Sequence, residues 1–386
     1  MTIDFSLQWY VWILAALLVV CFLIQLFYWC YYYASILYDN KKRQKAQIPF
    51  ATQTPPVSVI ICSRFDGINI EKFLPAVLEQ DYPSFEVIVV NDGSTYETNE
   101  LIKTWQRVYP NLFITYLPEN AQVLSRKKLD LTIGIKAAHN DLLLFVDADC
   151  CPISNNWISL MVRNFVEGKE FVLGYGGYQS APGLLNHLIT YDTFTIALQY
   201  MGFALHGKPY MGVGRNLAYR REMFFRKKGF ASILHLQGGD DDLFVSMNAN
   251  ADNTRVEYNC DSKTLSLPKT SFREWLYQKR RHLSTSVHYA RSTRFLIGTE
   301  VLSRFFFYAS ALALCFVAPP FILFFVAVIY LLRLLTQLLV INFTASVLKE
   351  RHFYLTVIVA DILLPLISLF GMTINGFARS SVYKWK

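Results

Sequence analysis

A chain of 386 residues, 53% of them hydrophobic, holds one mid-sized folded domain and still leaves apolar sequence for membrane spans. Its net charge of +8 gathers beside the apolar segments, at Lys41, Lys42, Arg43 and Lys45 and again from Arg273 to Arg294, the pattern of attraction to anionic headgroups. No nucleic-acid motif accompanies that charge, which argues against nucleic acid as a partner, and seven cysteines without zinc-type spacing argue against a structural zinc site.

Between Phe5 and Tyr38 there is no charged residue, ample for the ~20 apolar residues a spanning helix needs. The stretch has no basic region before it and is too long for a signal sequence, so residues 1–40 read as a retained anchor. Positive charge after it puts the downstream side in the cytosol. Residues 41–56, basic and then proline-rich (Pro49, Pro55, Pro56), read as a linker.

From residue 57 the pattern is α/β. Val57–Cys62 is a buried strand by its β-branched run. Ile70–Gln80 reads as a helix, Glu86–Val90 as a strand, Glu97–Val108 as a helix and Phe113–Tyr116 as a strand. Lys127–Ala138 is then helical, and Asp141–Val146 is a strand that delivers Asp147 and Asp149. Such alternation predicts a doubly wound, mostly parallel sheet over residues 57–272. Ligands of such sheets bind beyond the carboxyl ends of the strands, where Asp92 and the Asp147/Asp149 pair both fall.

The C-terminal third is apolar again. Trp275 to about Arg294 is aromatic and basic and reads as an interfacial helix, giving an amphipathic segment over 273–298. A transmembrane region over 299–378 follows, with two spans meeting at Pro319-Pro320 and a third from about Phe353 to Phe377. One span before the α/β domain and three after it would leave the tail 379–386, with Arg379, Lys384 and Lys386, opposite the domain. That runs against the positive-inside tendency unless one segment lies in the interface. Arg333 and Asp361 fall inside apolar segments, where ionisable groups are often functional. The adjacent Cys150 and Cys151 read as free thiols in a reducing compartment.

Four short motifs stand in order: Asn91-Asp92-Gly93-Ser94, Asp147-Ala148-Asp149, Gly238-Gly239-Asp240-Asp241-Asp242 and Gln278-Lys279-Arg280-Arg281. Together with Pro56-Val57-Ser58-Val59-Ile60-Ile61 and Gln80-Asp81-Tyr82-Pro83, they resemble a membrane-bound family-2 glycosyltransferase over roughly residues 55–290. The similarity extends to ceramide glucosyltransferase and polysaccharide synthase catalytic domains. It implies a GT-A fold, a nucleoside-diphosphate sugar as donor and inversion at the anomeric carbon. On this resemblance Asp92 holds the nucleotide, with Asn91 where the family often has a second acid. Arg64, at the end of the first strand, also faces the nucleotide, and Lys127 is a candidate diphosphate contact. Asp147 and Asp149 form the DxD motif for Mn2+ or Mg2+, Asp149 as ligand and Asp147 as ligand or ribose contact. One or two carboxylates suffice for an ion that keeps several waters.

The third motif supplies the base, because the acceptor hydroxyl must lose its proton as it attacks. Counting back from Leu243 makes Asp240 the base; pairing Asp240 with Asp241 makes it Asp241. Gln278 and Arg281 match the diphosphate clamp, whose guanidinium offers a bidentate fork to phosphate. His282 replaces the tryptophan on which polymerising synthases stack the acceptor sugar. Gly212-Val213-Gly214-Arg215-Asn216 resembles an acceptor-side loop. The expected function is transfer of a sugar, UDP-linked by resemblance, to a membrane lipid or lipid-linked acceptor by an integral membrane enzyme whose domain faces the cytosol. A processive polysaccharide synthase is the alternative, and a nucleotide-binding transporter or scaffold a third reading.

Overall fold

The computed structural model describes residues 8–64, 67–93, 96–117 and 125–377. The expectations placed on Phe5, Ser94 and the tail 379–386 lie outside these residues. Helix α1 (Trp9–Phe27) runs through a wider π-helical stretch, Tyr28–Tyr33, into α2 (Ser35–Gln44). Lys41, Lys42 and Arg43 are therefore the last turn of a helix, not the start of a linker at residue 41. Cations suit that end of the helix dipole.

The α/β domain opens with β1 (Val57–Arg64), α3 (Gly67–Leu78), β2 (Phe85–Asp92), α4 (Tyr96–Val108), β3 (Leu112–Tyr116), α5 (Arg126–Ala137) and β4 (Leu142–Phe145). Each expected element is present, with ends displaced by at most three residues. β1 pairs in parallel with β2 and β4, Val57 opposite Phe85 and Leu142, and Arg64 opposite Asp92. Both faces of β1 are covered: Val57, Val59 and Ile61 join one apolar core, Ile60 and Cys62 the other. That double burial is why the strand is apolar at nearly every position.

After β4 come β5 (Cys150–Pro152), α6 (Trp157–Val162), β6 (Phe171–Gly174), β7 (Gly176–Tyr178), α7 (Leu184–Leu205), β8 (Leu217–Arg220) and α8 (Arg221–Arg226). Then follow α9 (Asp242–Asn248), β9 (Thr254–Glu257) and β10 (Thr264–Ser266). Among the described residues the main sheet has the order β3-β2-β1-β4-β8-β6-β9, and β5-β10-β7 make a small second sheet. β8 is antiparallel to β4 and β6, so the sheet is parallel only in its first half and at the β6–β9 edge.

The chain ends with α10 (Phe272–Leu283), α11 (Arg291–Val317), α12 (Pro320–Val347) and α13 (Leu355–Phe377). The single interfacial helix expected from Trp275 to Arg294 is broken after Leu283. Thr285 and Tyr289, beyond that break, donate hydrogen bonds to Asp242 of α9. Among the described residues four helical segments are long and apolar enough to cross a membrane: Trp9–Gln44, Arg291–Val317, Pro320–Val347 and Leu355–Ile374.

Candidate active site at the carboxyl ends of β1, β2 and β4

The first turn of α5 carries three consecutive cations, which between them reach the first three acidic motifs. Arg126 Nη2 lies 3.1 Å from Asp92 Oδ1, and Arg64 Nε lies 3.4 Å from Asp92 Oδ2. Asp92, the last residue of β2, is thus buried between two guanidinium groups. Lys127 Nζ lies 2.8 Å from Asp147 Oδ1 and 3.5 Å from Asp240 Oδ2. Lys128 is fully buried and donates to the carbonyls of Ile233, Leu236 and Gly238 at 2.6, 2.7 and 2.6 Å, which holds the loop leading into the third motif. Burial lowers its ammonium to about 8.

Burial works against a charged Lys127, but Asp147, Asp240 and Asp241 outweigh it and keep the ammonium protonated. Burial likewise opposes the charge on Asp147, yet Lys127, with Arg215 and Arg281 beyond it, holds that carboxyl below its ordinary range. Asp149 moves the other way, raised by burial and by the neighbouring Asp147. A small cavity lined by Cys62, Lys127, Asp147, Gly214, Asp240 and Asp241 joins the second motif to the third.

The three acids of the third motif separate into different jobs. Gly239 has φ +95°, a conformation that favours glycine, and it turns the chain so that Asp240 faces the cavity. Asp241 spends both oxygens on backbone, accepting from Gly214 N and Asp242 N at 2.8 Å each, and so caps α9. Asp242 is buried against Thr285, Tyr289 (2.8 Å) and Leu243 N (2.7 Å). Burial and Asp241 raise its carboxyl to about 7. Asp240 is left facing the cavity with a carboxyl raised by burial, a rise that Lys127 opposes and Asp241 and Asp147 reinforce.

α10 brings the fourth motif to the same place. Its N-cap Ser271 accepts from Glu274 N, and Lys279 ties it to Asp192 of α7 at 2.7 and 2.8 Å. Gln278 Nε2 donates to Tyr178 OH at 3.0 Å. Arg281 is on the last turn, near enough to Asp147 to lower its carboxyl. His282 is exposed. Arg215 stacks its guanidinium on Tyr178, 4.7 Å from the ring centre, and faces Asp147 and Asp149. Among the described residues, Arg215 Nε and Gln278 Oε1 are buried without a hydrogen-bond partner, polar capacity that a ligand can use.

Asp147, Asp149 and Cys150 offer ligand atoms within 4.8 Å of one another. The donor set fits a hard divalent ion held by carboxylates and water. Cys150 does not extend it, because burial and the two aspartates push its thiol up and its sulfur lies 2.8 Å from Ser266 Oγ. The sequence reading therefore brought Arg64, Asp92, Lys127, Asp147, Asp149, Asp240, Asp241, Gln278 and Arg281 into one region. It missed Arg126 and Lys128, and it placed Arg215 only within an acceptor-side loop.

Residues 58–225 match the family model described as Glycosyl transferase family 2. The chain is 36% identical over 143 residues to the glycosyltransferase AglE of Haloferax volcanii, covering 36% of this chain and 45% of that protein. It is 29% identical over 115 residues to the dolichyl-phosphate beta-glucosyltransferase ALG5A of Trichomonas vaginalis, covering 27% of this chain and 34% of that protein. These alignments span less than half of either relative. Among solved structures, the mannosyltransferase PcManGT from Pyrobaculum calidifontis in complex with GDP-Man and Mn2+ superposes with a TM-score of 0.54. It is 18% identical and covers 92% of this chain and 99% of that one, a likeness of fold.

Proposed function

From a chain whose residues 58–225 are a family-2 glycosyltransferase domain, flanked by apolar helices, we propose a membrane enzyme that moves one sugar from a nucleotide sugar to a lipid or lipid-linked hydroxyl. The observation that carries this reading is the convergence of Lys127, Asp147 and Asp240 within 3.5 Å contacts, beside a helix bearing Arg281. A UDP-sugar is the first donor to test. The GDP-mannose and Mn2+ named for the structural neighbour support a nucleotide-sugar donor with a divalent ion.

In the proposed reaction Asp92 receives the nucleoside end, with Arg64 and Arg126 fixing its carboxylate. Asp147 and Asp149 would hold Mn2+ or Mg2+, which when bound offsets charge on the leaving diphosphate. Arg281 and Gln278 face the same phosphates from α10, and Arg215 from the loop before β8. Asp240 accepts the proton of the acceptor hydroxyl as its oxygen bonds to the anomeric carbon and the bond to the diphosphate breaks. Lys127 keeps Asp240 and Asp147 from repelling one another before donor arrives. The exposed His282 offers less stacking surface than tryptophan, which supports a single transfer over a growing polymer.

The test is release of nucleoside diphosphate by detergent-purified protein across UDP-sugars and GDP-mannose, with and without native lipid extract. Lipid-dependent release with one donor supports the proposal. A lengthening carbohydrate would replace it with a polymer synthase, and no release with any donor would remove the enzymatic reading.

A further inference from the structure

Helix α13 differs from the other apolar helices in what it packs against. Val11, Leu18 and Cys21 of α1, Phe307 and Leu314 of α11, and Ile322, Val326 and Ile329 of α12 form one apolar cluster that holds no residue of α13. The buried apolar side chains of α13, Val357, Ala360, Leu364 and Ile367, belong instead to the core shared with the α/β domain.

A belt of buried polar groups marks where the three-helix bundle ends. Asp361 accepts from Arg333 Nη1 (2.7 Å), Gln337 Nε2 (2.8 Å) and Tyr308 OH (2.5 Å). Arg333 Nη2 donates to Gln25 Oε1 (3.0 Å), whose amide donates to Ser303 Oγ (2.8 Å). From Gln25, Ser303 and Arg333 of this belt to the far ends of their helices, at Trp9, Val317 and Pro320, is about 20–24 Å at ~1.5 Å per residue. These three residues therefore lie at one depth, on the side of the α/β domain.

Run beside the bundle from Asp361, α13 would carry Gly371 about 15 Å farther from that domain. Gly371 instead packs on α10: a side-chain carbon there would lie 3.3 Å from Arg280 Cγ and from Leu283 Cδ1. The other end is held on α7, where Phe353 meets Tyr191 and Phe194 with ring centres 5.3 and 5.4 Å apart. Pro365 stands inside α13 between these two contacts, at a residue that permits a change of direction. α13 thus rests at one end on α7 of the α/β domain and toward the other on α10.

The rest of its surface is apolar. Leu355, Val359, Ile362, Leu366, Leu369 and Phe370 are exposed, the last five between 45% and 63%. We propose that α13 does not cross the bilayer but lies along its surface on the side of the α/β domain, with this face set into the acyl–headgroup boundary of one lipid leaflet. The described residues then cross three times and residue 377 ends on the domain's side, so the basic sequence that follows it no longer conflicts with the positive-inside tendency. The leaflet is brought level with α10, the helix that carries Arg281. The proposal stands independently of the reaction.

Two protease-cleavable tags decide it, one after Lys386 and one in the exposed turn at Glu167-Gly168. A third tag before Met1, expected on the opposite side, reports whether the vesicles are sealed and oriented. With protease added to one side of sealed vesicles, the C-terminal and domain tags are lost together or protected together. Loss of one with protection of the other would mean four crossings and would overturn the proposal, whether or not the preparation transfers sugar.

Discussion

Lys127 and Asp240 face each other at 3.5 Å across the cavity that joins the second acidic motif to the third. The same ammonium lies 2.8 Å from Asp147, so one cation spans the site of the leaving group and the site of proton removal. Asp241, one residue on, has both oxygens committed to backbone. Asp240→Asn is therefore expected to lower kcat by about 10²–10⁴, the scale of a lost general base. Asp241→Asn replaces one of these two accepting oxygens with an NH2 group, so one backbone N–H loses its acceptor at about 1–3 kcal/mol of stability, with a much smaller fall in kcat. Kinetics of the two variants at saturating donor check this, and the reverse order would assign the base to Asp241.

The guanidinium groups predict a different kinetic signature. Arg281→Ala removes a charge-assisted contact worth about 1.5–3 kcal/mol, an expected loss of about 10–100-fold in kcat/KM. Arg281→Lys keeps the charge but not the fork and should restore little of it. Arg215→Lys should also raise the donor KM, because its planar group stacks on Tyr178 at 4.7 Å. Donor titrations separate these variants from Asp240→Asn, whose KM should hold.

The parallel half of the sheet was legible because burial on both faces of β1, β2 and β4 makes those strands continuous apolar runs. The break after Leu283 was not. Beyond it Thr285 and Tyr289 meet Asp242, more than 40 residues away in sequence. Arg126 and Lys128 were missed although the sequence holds a clue to them. Three cations at the first turn of a helix oppose its dipole, so acids elsewhere must compensate. Arg215 sits in the loop that resembles an acceptor-side loop, and only its stacking on Tyr178 reveals where it faces.

Metal dependence follows from the carboxylate pair. Chelation by EDTA should stop nucleotide release, and excess Mn2+ or Mg2+ should restore it. Asp149→Asn should raise the metal concentration needed by at least about tenfold, the scale found even for groups that only support metal ligands. Activity that survives both chelation and this substitution would show that the acid pair serves the nucleotide without a metal.

Lys128 makes a structural prediction about the loop before Asp240. In Lys128→Met the carbonyls of Ile233, Leu236 and Gly238 lose their shared donor, at about 1–3 kcal/mol for each group left buried and unpaired. A lower melting temperature is expected together with a lower kcat, since the freed loop carries the base. An unchanged melting temperature would mean that water replaces the ammonium.

The last prediction concerns pH. Asp242 is raised from the ordinary 3.8 to about 7 by burial and by Asp241. Between those values the folded protein holds a proton that the unfolded chain has released, so stability falls as pH rises. Asp130, also raised to about 7 by burial and by Asp92, adds to the same slope. The melting temperature should therefore decline from pH 5 to pH 7. Asp242→Asn imitates the neutral acid and can still accept from Thr285 and Tyr289, so its decline should be shallower while Asp130 keeps the remainder. Equal slopes for the two proteins would show that the Asp242 carboxyl is ionised throughout, held so by the two hydroxyls.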